Sequence, residues 1–426
     1  MALSALFAVF LLGLFVGVPV AVSLGLASVA YLLIAEIPLV VISQKFYAGI
    51  DVFVLLCIPG FILAGNLMNA GKITEAIIGF ANALVGWIRG GLGLTNIAGS
   101  MLFAGISGTA VADAASIGGV MIPGMKKSGY PADFSAAVTA ASSTIGPIIP
   151  PSVPMIIVGA LAEISVGRMF LAGAVPGLLL GLGLMAVCYQ VARQRGYPHQ
   201  PWAGFRQLGR SFLGAVWALA MTALIIGGLM SGKVTPTETS IVASLYAFVV
   251  GVFVYQGLKL RDVPKVMIDS AVASAGILVL VGFANVFGWI LASEQIPQML
   301  AGAVLSITDS KILVILIINL LLLFVGMFME TIAALIILFG PLLAVAQSVG
   351  IDPVHFATFA VLNLMIGLTT PPVGVCLFIC SNIARVPLGE VVRALVPFLL
   401  VNLFVLLLVS YVPALSLWLP NLVFGR

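Results

Sequence analysis

The chain has 426 residues, 62% of them apolar and 8% charged, with a formal net charge of +4 and a mean hydropathy of +1.26. No soluble fold hides that much apolar surface, and so small a net charge points to no nucleic-acid partner. Apolar runs near the ~20 residues that a helix needs to cross a bilayer recur along the whole length. They are too long for the short alternating strands of a membrane barrel. The composition predicts an all-α integral membrane protein.

In chain order, membrane spans are predicted near residues 4–17, 19–35, 51–70, 132–163, 168–193, 211–231, 237–257, 265–291, 353–384 and 390–412. The first apolar run has no charged n-region and no cleavage site, so no cleaved signal is expected. It reads as two short spans hinged at Pro19. Residues 92–127 and 311–347 are too long for one crossing, and each is interrupted near its middle, by "GISGTAVADAAS" and "VGMFMETIAA". A re-entrant helical hairpin explains both, provided its tip is buried in protein or lines a cavity. The expected architecture is therefore about ten transmembrane helices plus two re-entrant hairpins.

The longest polar stretch, "ARQRGYPHQPWAGFRQLGR" at residues 192–210, holds four arginines and no acid. The positive-inside rule makes it cytoplasmic. Counting outward, Arg89, Lys126, Lys127, Arg261, Lys265, Arg385 and Arg393 fall on the same side. Glu36, Glu294, Asp309 and Asp352 fall on the other with few cations, and both termini are expected outside.

Two stretches match at a constant offset of 221 (371 − 150): "GYPADFSAAVTAASSTIGPIIPPSV" from Gly129 and "GIDPVHFATFAVLNLMIGLTTPPVG" from Gly350. Each opens with Gly and a Pro-containing helix start. Each carries Gly146 or Gly367 at the same place, then Pro150-Pro151 or Pro371-Pro372. Each follows a broken hairpin with an acid near its tip, Asp113 or Glu330. An odd number of crossings separates the copies, so they run in opposite senses. Such inverted-topology repeats place a site at mid-membrane, built from interrupted helices.

Proline supplies no N–H, so carbonyls one turn earlier lose their helical donors. Broken helices at mid-membrane are thus expected, with freed carbonyls and the hydroxyls of Ser142, Ser143, Thr144 and Ser152 pointing into a cavity. Oxygen donors of this kind suit a small hard cation. One cation site is predicted where Ser107, Gly108 and Thr109 face Thr144, Gly146, Pro147 and Pro150. A second is predicted where Gly326, Met327 and Met329 face Gly367, Thr369, Thr370 and Val373. Half-helix N-termini at the tips attract an anion between them. Its candidate contacts are Ser107, Asp113, Ser152, Glu330, Thr331 and Pro372. Asp113 and Glu330 either contact the cation or brace the tips. Asn66, Asn96, Asn285, Asn319 and Asn363 read as interhelical hydrogen-bond donors and acceptors. Thr235 and Glu238 read as a capping box. His199 and His355 read as surface residues, Arg168 as a partner for Glu163 or for acidic cargo, and Cys376 and Cys380 as packing residues. No "HExxH" or other catalytic constellation occurs, so no enzyme is expected.

"SGTAVADAASIGGVMIPGMKKSGYPADFSAAVTAASSTIGPIIPPSVPMIIVGALAEISVGRMFLAGAVPGLLLG", "GKVTPTETSIVASLYAFVVG" and "GLTTPPVGVCLFICSNIARVPLGEVVRALVPF" resemble the large membrane subunit of a TRAP (tripartite ATP-independent periplasmic) transporter of the DctM/SiaM type. The resemblance runs over essentially the whole chain, with "TPTETS" in place of an expected "TPTEAA". It implies an elevator mechanism in a multi-pass protein of the bacterial inner membrane. A scaffold, residues 1–90 and 211–307, holds still while a transport domain, residues 91–196 and 308–426, carries the site; residues 197–210 form the cytoplasmic loop. It also implies sodium as the coupling ion with no other cofactor, and two partners: a small four-helix membrane subunit and a periplasmic substrate-binding protein that delivers an organic acid of the sialic acid or C4-dicarboxylate type. Proton coupling through Asp113 or Glu330 is the alternative, and an ion channel a remoter one.

Overall fold

The computed structural model describes residues 1–308 and 310–425, without the side chains of Ile106, Ser107, Ala301, Val304, Leu305 and Ile307. Asp309, read above as an outer acid, and the Ser107 side chain lie outside the described residues. The first half contains α1 (Ala2–Val16), α2 (Val20–Ile34), α3 (Val40–Ile50), a 3₁₀ turn (Phe53–Leu56) leading into α4 (Cys57–Ala70), α5 (Ile73–Val85), α6 (Gly91–Ser107), α7 (Ala110–Lys127), α8 (Ala132–Ser143), α9 (Val153–Leu161) and α10 (Val166–Arg195). The second half contains α11 (Gly204–Met230), α12 (Pro236–Val249) with a π turn (Val250–Val254), α13 (Val263–Ser293), α14 (Ile296–Ile307), α15 (Lys311–Gly326), α16 (Thr331–Ser348), α17 (Pro353–Gly367), α18 (Val375–Ala384), α19 (Leu388–Tyr411) and α20 (Ala414–Phe424).

Seven stretches, Phe53–Ala70, Val166–Arg195, Gly204–Met230, Pro236–Val254, Leu260–Ser293, Thr331–Ser348 and Leu388–Tyr411, are long and apolar enough to cross a membrane. Six of these are predicted spans, and Thr331–Ser348 is a predicted hairpin arm. Helices α1 and α2, 15 residues each, reach only ~22 Å at 1.5 Å per residue, short of a ~30 Å hydrocarbon core. The predicted spans 132–163 and 353–384 are each two half-helices.

The two hairpins obey the repeat closely: α7 and α16 coincide end for end at the offset of 221. Packing follows the same pseudo-symmetry. Helix α4 lies on α12 as α13 lies on α2. Each broken helix has its first half on its own hairpin, α8 on α7 and α17 on α16. Its second half lies on the other repeat's hairpin, α18 on α7 and α9 on α16. The two halves of the chain thereby share one core. In α8 every residue from Phe134 to Ser143 is buried, and in α17 every residue from Val354 to Gly367. The Ala, Ser and Thr side chains of α8 permit this close approach of helices.

Helices α3, α5, α14 and α20 are absent from the sequence prediction. At 11–13 residues each they fall below any span length. Helix α5 buries Ile73, Ile77 and Ala81, one stripe at a spacing of four, and at 13 residues it is too short to register as a span. Packed against both α6 and α11, it ties the hairpin to the helices of the second half.

Two residue assignments are corrected. His355 is buried, not superficial: Nδ1 lies 2.7 Å from Ser416 Oγ and Nε2 lies 3.0 Å from the Ser410 carbonyl. Helix α20, unforeseen, is what covers it. Arg168 does not pair with Glu163 among the described residues. Its guanidinium donates to Asn421 Oδ1 at 3.4 Å and to the Gly425 carbonyl, fastening the C-terminal helix to α10.

Candidate functional site

The first junction joins the α6–α7 tip to the break between α8 and α9. Gly108 turns the chain with φ 60°, and a Cβ there would stand 3.2 Å from the Pro151 carbonyl oxygen. Tip and break therefore touch through main chain. Thr109 caps α7 by accepting from the Ala112 N–H at 3.3 Å. Ser152 caps α9, accepting from the Met155 N–H at 3.2 Å while donating to the Pro147 carbonyl. Among the described residues, the carbonyls of Thr144, Gly146, Pro150 and Pro151 receive no main-chain hydrogen bond.

The second junction repeats the design more tightly. Gly367 and Gly326 are in backbone contact: a Cβ on Gly367 would lie 2.6 Å from the Gly326 carbonyl carbon. Only glycine permits that crossing. The Gly374 N–H reaches the Met327 carbonyl at 3.5 Å, and the Cys376 N–H reaches Leu368 at 3.1 Å. The carbonyls of Thr369, Thr370, Pro371, Pro372 and Val373 receive no main-chain donor among the described residues. Both Pro-Pro bonds are cis. Met329 lies in the same turn as Met327, its N–H held by Val325 at 3.0 Å.

The hydroxyls behave differently from expectation. Ser142, Ser143 and Thr144 do not point freely into a cavity. They donate to Thr139, Ala140 and Ala141 carbonyls at 3.1, 2.8 and 2.7 Å. Thr369 and Thr370 donate to Ile366 at 2.9 and 2.8 Å. Their remaining lone pairs are the only acceptors they offer, so the main-chain carbonyls are the principal oxygen donors for a hard cation. A turn before each break, a polar bridge steadies the junction: Asn96 Oδ1 lies 3.3 Å from Ser142 Oγ as a second acceptor for its one O–H, and Asn363 donates to Asn319 at 2.7 Å. Asn66 bonds Ser270 and Asn285 bonds Lys45, so all five asparagines bridge helices.

The two acids are not counterparts. The offset pairs Glu330 with Thr109 and Asp113 with Ala334. Glu330 is the cap of α16, accepting from Ile332 and Ala333 N–H groups at 2.8 and 3.2 Å. Asp113 sits one turn inside α7, 1% exposed, and among the described residues neither carboxylate oxygen has a hydrogen-bond partner. The buried Thr331 hydroxyl also has none. A buried carboxylate is costly unless it is paired or protonated, and Asp113 is such a group beside the first tip. Helix α18 of the second repeat packs on α7 of the first hairpin, and α9 of the first repeat packs on α16, so the two junctions share one neighbourhood.

A cavity of about 280 Å³ lies between α4, α13 and the first hairpin, lined by Asn66, Asn69, Phe103, Thr109, Ser116 and Ile277 among others. Of the predicted cargo residues, Ser152 and Thr331 are buried and Glu330 and Pro372 are exposed at the second junction. The predicted cation residue Thr109 lines the cavity. Asn69 was missed, and Asn66 was read only as a helix bridge. A polar pair three residues apart on an otherwise apolar helix was the available signal.

The sequence profile of the tripartite ATP-independent periplasmic transporter DctM component matches residues 7–415. The chain is 44% identical over 413 residues to the sialic acid TRAP transporter large permease protein SiaM of Vibrio cholerae, covering 97% of each. It is 41% identical to the C4-dicarboxylate TRAP transporter large permease protein DctM of Pseudomonas aeruginosa, covering 89% of each. Its fold resembles the YdaH transporter of Alcanivorax borkumensis, with a TM-score of 0.64 at 15% identity over 88% of this chain and 87% of that one.

Proposed function

We propose that this chain, which belongs to the DctM component family of tripartite ATP-independent periplasmic transporters, drives uptake of an organic acid with sodium ions through an elevator movement. It is a TRAP transporter large permease and a multi-pass membrane protein. The observation that carries the proposal is the pair of hairpin-to-break junctions, each exposing main-chain carbonyls without helical donors. Carbonyl oxygens suit hard cations, and interrupted helices are the usual carriers of coupling-ion sites in inverted repeats.

In this reading one sodium ion binds among Gly108, Thr109, Thr144, Gly146 and Pro150, the other among Gly326, Met327, Gly367, Thr369 and Thr370. Each ion ties a tip to its break, which orders the helix N-terminus that receives the cargo carboxylate. Ion and acid then favour each other's binding by the same factor. Residues 1–90 and 211–307 act as scaffold, and 91–196 with 308–426 move. The shared core of the two hairpin blocks supports their moving as one body. The acid arrives from a periplasmic binding protein, a small membrane subunit completes the complex, and the site is the bacterial inner membrane. The cargo is of the sialic acid or C4-dicarboxylate type.

The burial of the Asp113 carboxylate, without a hydrogen-bond partner among the described residues, supports a second reading, in which a proton replaces one sodium. Uptake by the complete complex in proteoliposomes, with pH clamped on both sides, separates the two. The sodium reading expects saturable uptake that follows the imposed sodium gradient. Uptake indifferent to sodium and driven by a pH step overturns it.

A further inference from the structure

We infer that the cavity between α4, α13 and the first hairpin receives the cargo, and that Asn66 and Asn69 make it selective for a monocarboxylate bearing neutral polar groups over a dicarboxylate. This rests on the organic-acid carrier reading above. Asn66 and Asn69 stand three apart on α4, hence on one face, and both line the cavity opposite Thr109 and Ser116. Asn66 spends one N–H on Ser270 Oγ at 2.8 Å. That bond orients the amide and leaves its carbonyl oxygen for the cavity. Asn69 accepts from Thr74 at 3.4 Å, which leaves its NH₂ group to donate. The α4 wall thus presents an acceptor beside donors, and the hairpin wall presents two hydroxyls. Hydroxyl and amide substituents satisfy such a lining from both sides.

Charge points the same way. Among the described residues, no Lys, Arg or His lines this cavity. The start of α7, capped by Thr109, offers partial positive charge to one carboxylate. A second carboxylate finds only neutral groups, and burying an unpaired charge costs far more than burying a hydroxyl. The cavity volume, about 280 Å³, lies near the small end for ligand pockets, so lining chemistry rather than spare room governs which acid fits.

The test uses the large subunit co-purified with its small partner, and thermal stabilisation by sialic acid (one carboxylate, several hydroxyls, one amide) or succinate (two carboxylates), with and without sodium. Sialic acid is expected to stabilise at a concentration about tenfold below succinate, and only with sodium. Losing one hydrogen bond, Asn69→Ala is expected to raise the half-maximal sialic acid concentration about five- to tenfold. Asn69→Asp, on a side chain exposed to the cavity, is expected to abolish stabilisation by either acid while stabilisation by sodium alone persists. Succinate acting at equal or lower concentration, or both Asn69 variants binding sialic acid like the parent, overturns the selectivity inference and leaves the carrier reading standing. Failure of every acid to stabilise in sodium overturns both.

Discussion

Replacing Gly367 by Ala tests the backbone contact that joins the second tip to its break. The added Cβ would sit 2.6 Å from the Gly326 carbonyl carbon, 2.7 Å from its Cα and 2.9 Å from its oxygen. Every one of these neighbours is backbone, so no side chain can swing aside. Reaching the 3.4 Å at which ordinary contact begins requires the α15 tip and the α17 end to part by ~0.8 Å (3.4 − 2.6). Alanine favours the helical state by up to ~1 kcal/mol over glycine. Overpacking costs about 1–3 kcal/mol, so the clash outweighs the helical gain, and the variant should melt below the parent. The effect on ion binding is larger, because ligand positions must hold to within about 0.2 Å. We expect the sodium concentration giving half-maximal uptake to rise at least about tenfold, equivalent to ~1.4 kcal/mol. Gly340→Ala is the control: nothing lies within 4 Å of a Cβ there, and the helix should be unaffected or slightly stabilised. The assay is uptake against sodium concentration, with melting temperature measured in parallel. A Gly367→Ala protein matching the parent in both refutes the backbone-contact argument for the second junction.

Three further outcomes are expected. Ser152→Ala removes the α9 cap and leaves the Pro147 carbonyl without its donor; a loss of about 1 kcal/mol should appear as a lower melting temperature, restored largely by Ser152→Thr. Asn363→Ala breaks the 2.7 Å bond to Asn319 and should cost about 0.6–2 kcal/mol, more than Ser142→Ala, whose contact with Asn96 is 3.3 Å. Both can be ranked by thermal unfolding in one detergent. Tyr130, in the loop between α7 and α8, accepts from the Leu92 N–H at 3.4 Å and donates to the Pro198 carbonyl at 2.8 Å. Burial pushes its phenol up to about 12. The raised value means its contribution is complete below the ordinary tyrosine range near 10 and fades as pH climbs through about 12. Tyr130→Phe should therefore release the loop between α10 and α11 equally at pH 6 and pH 9, read as faster proteolytic nicking between residues 196 and 203.

How much of this was legible beforehand differs by element. Both hairpins and both breaks were readable from Pro-Pro, Gly and the offset of 221, because proline and glycine act on their own backbone wherever they stand. Glu238 was readable as a capping-box residue for the same local reason, and its carboxylate does bond the Thr235 N–H at 2.8 Å. The burial of His355 was not readable, since it depends on α20, a helix 11 residues long with no span signature. Nor was the inequality of the acids: Asp113 and Glu330 each follow a tip, but one is a cap and the other an orphan inside the helix.

The sequence by itself determined that this chain is a helical membrane protein built on a repeat at an offset of 221, since hydropathy and helix-breaking are properties of residues and their neighbours along the chain. It also determined which segments unwind. Which oxygens remain without donors, which asparagines meet across helices, and that Asn66 and Asn69 of α4 face the first hairpin were decided only by tertiary structure. Those facts depend on distances between segments up to 240 residues apart, as with Lys45 and Asn285, and no local pattern encodes where two such helices cross.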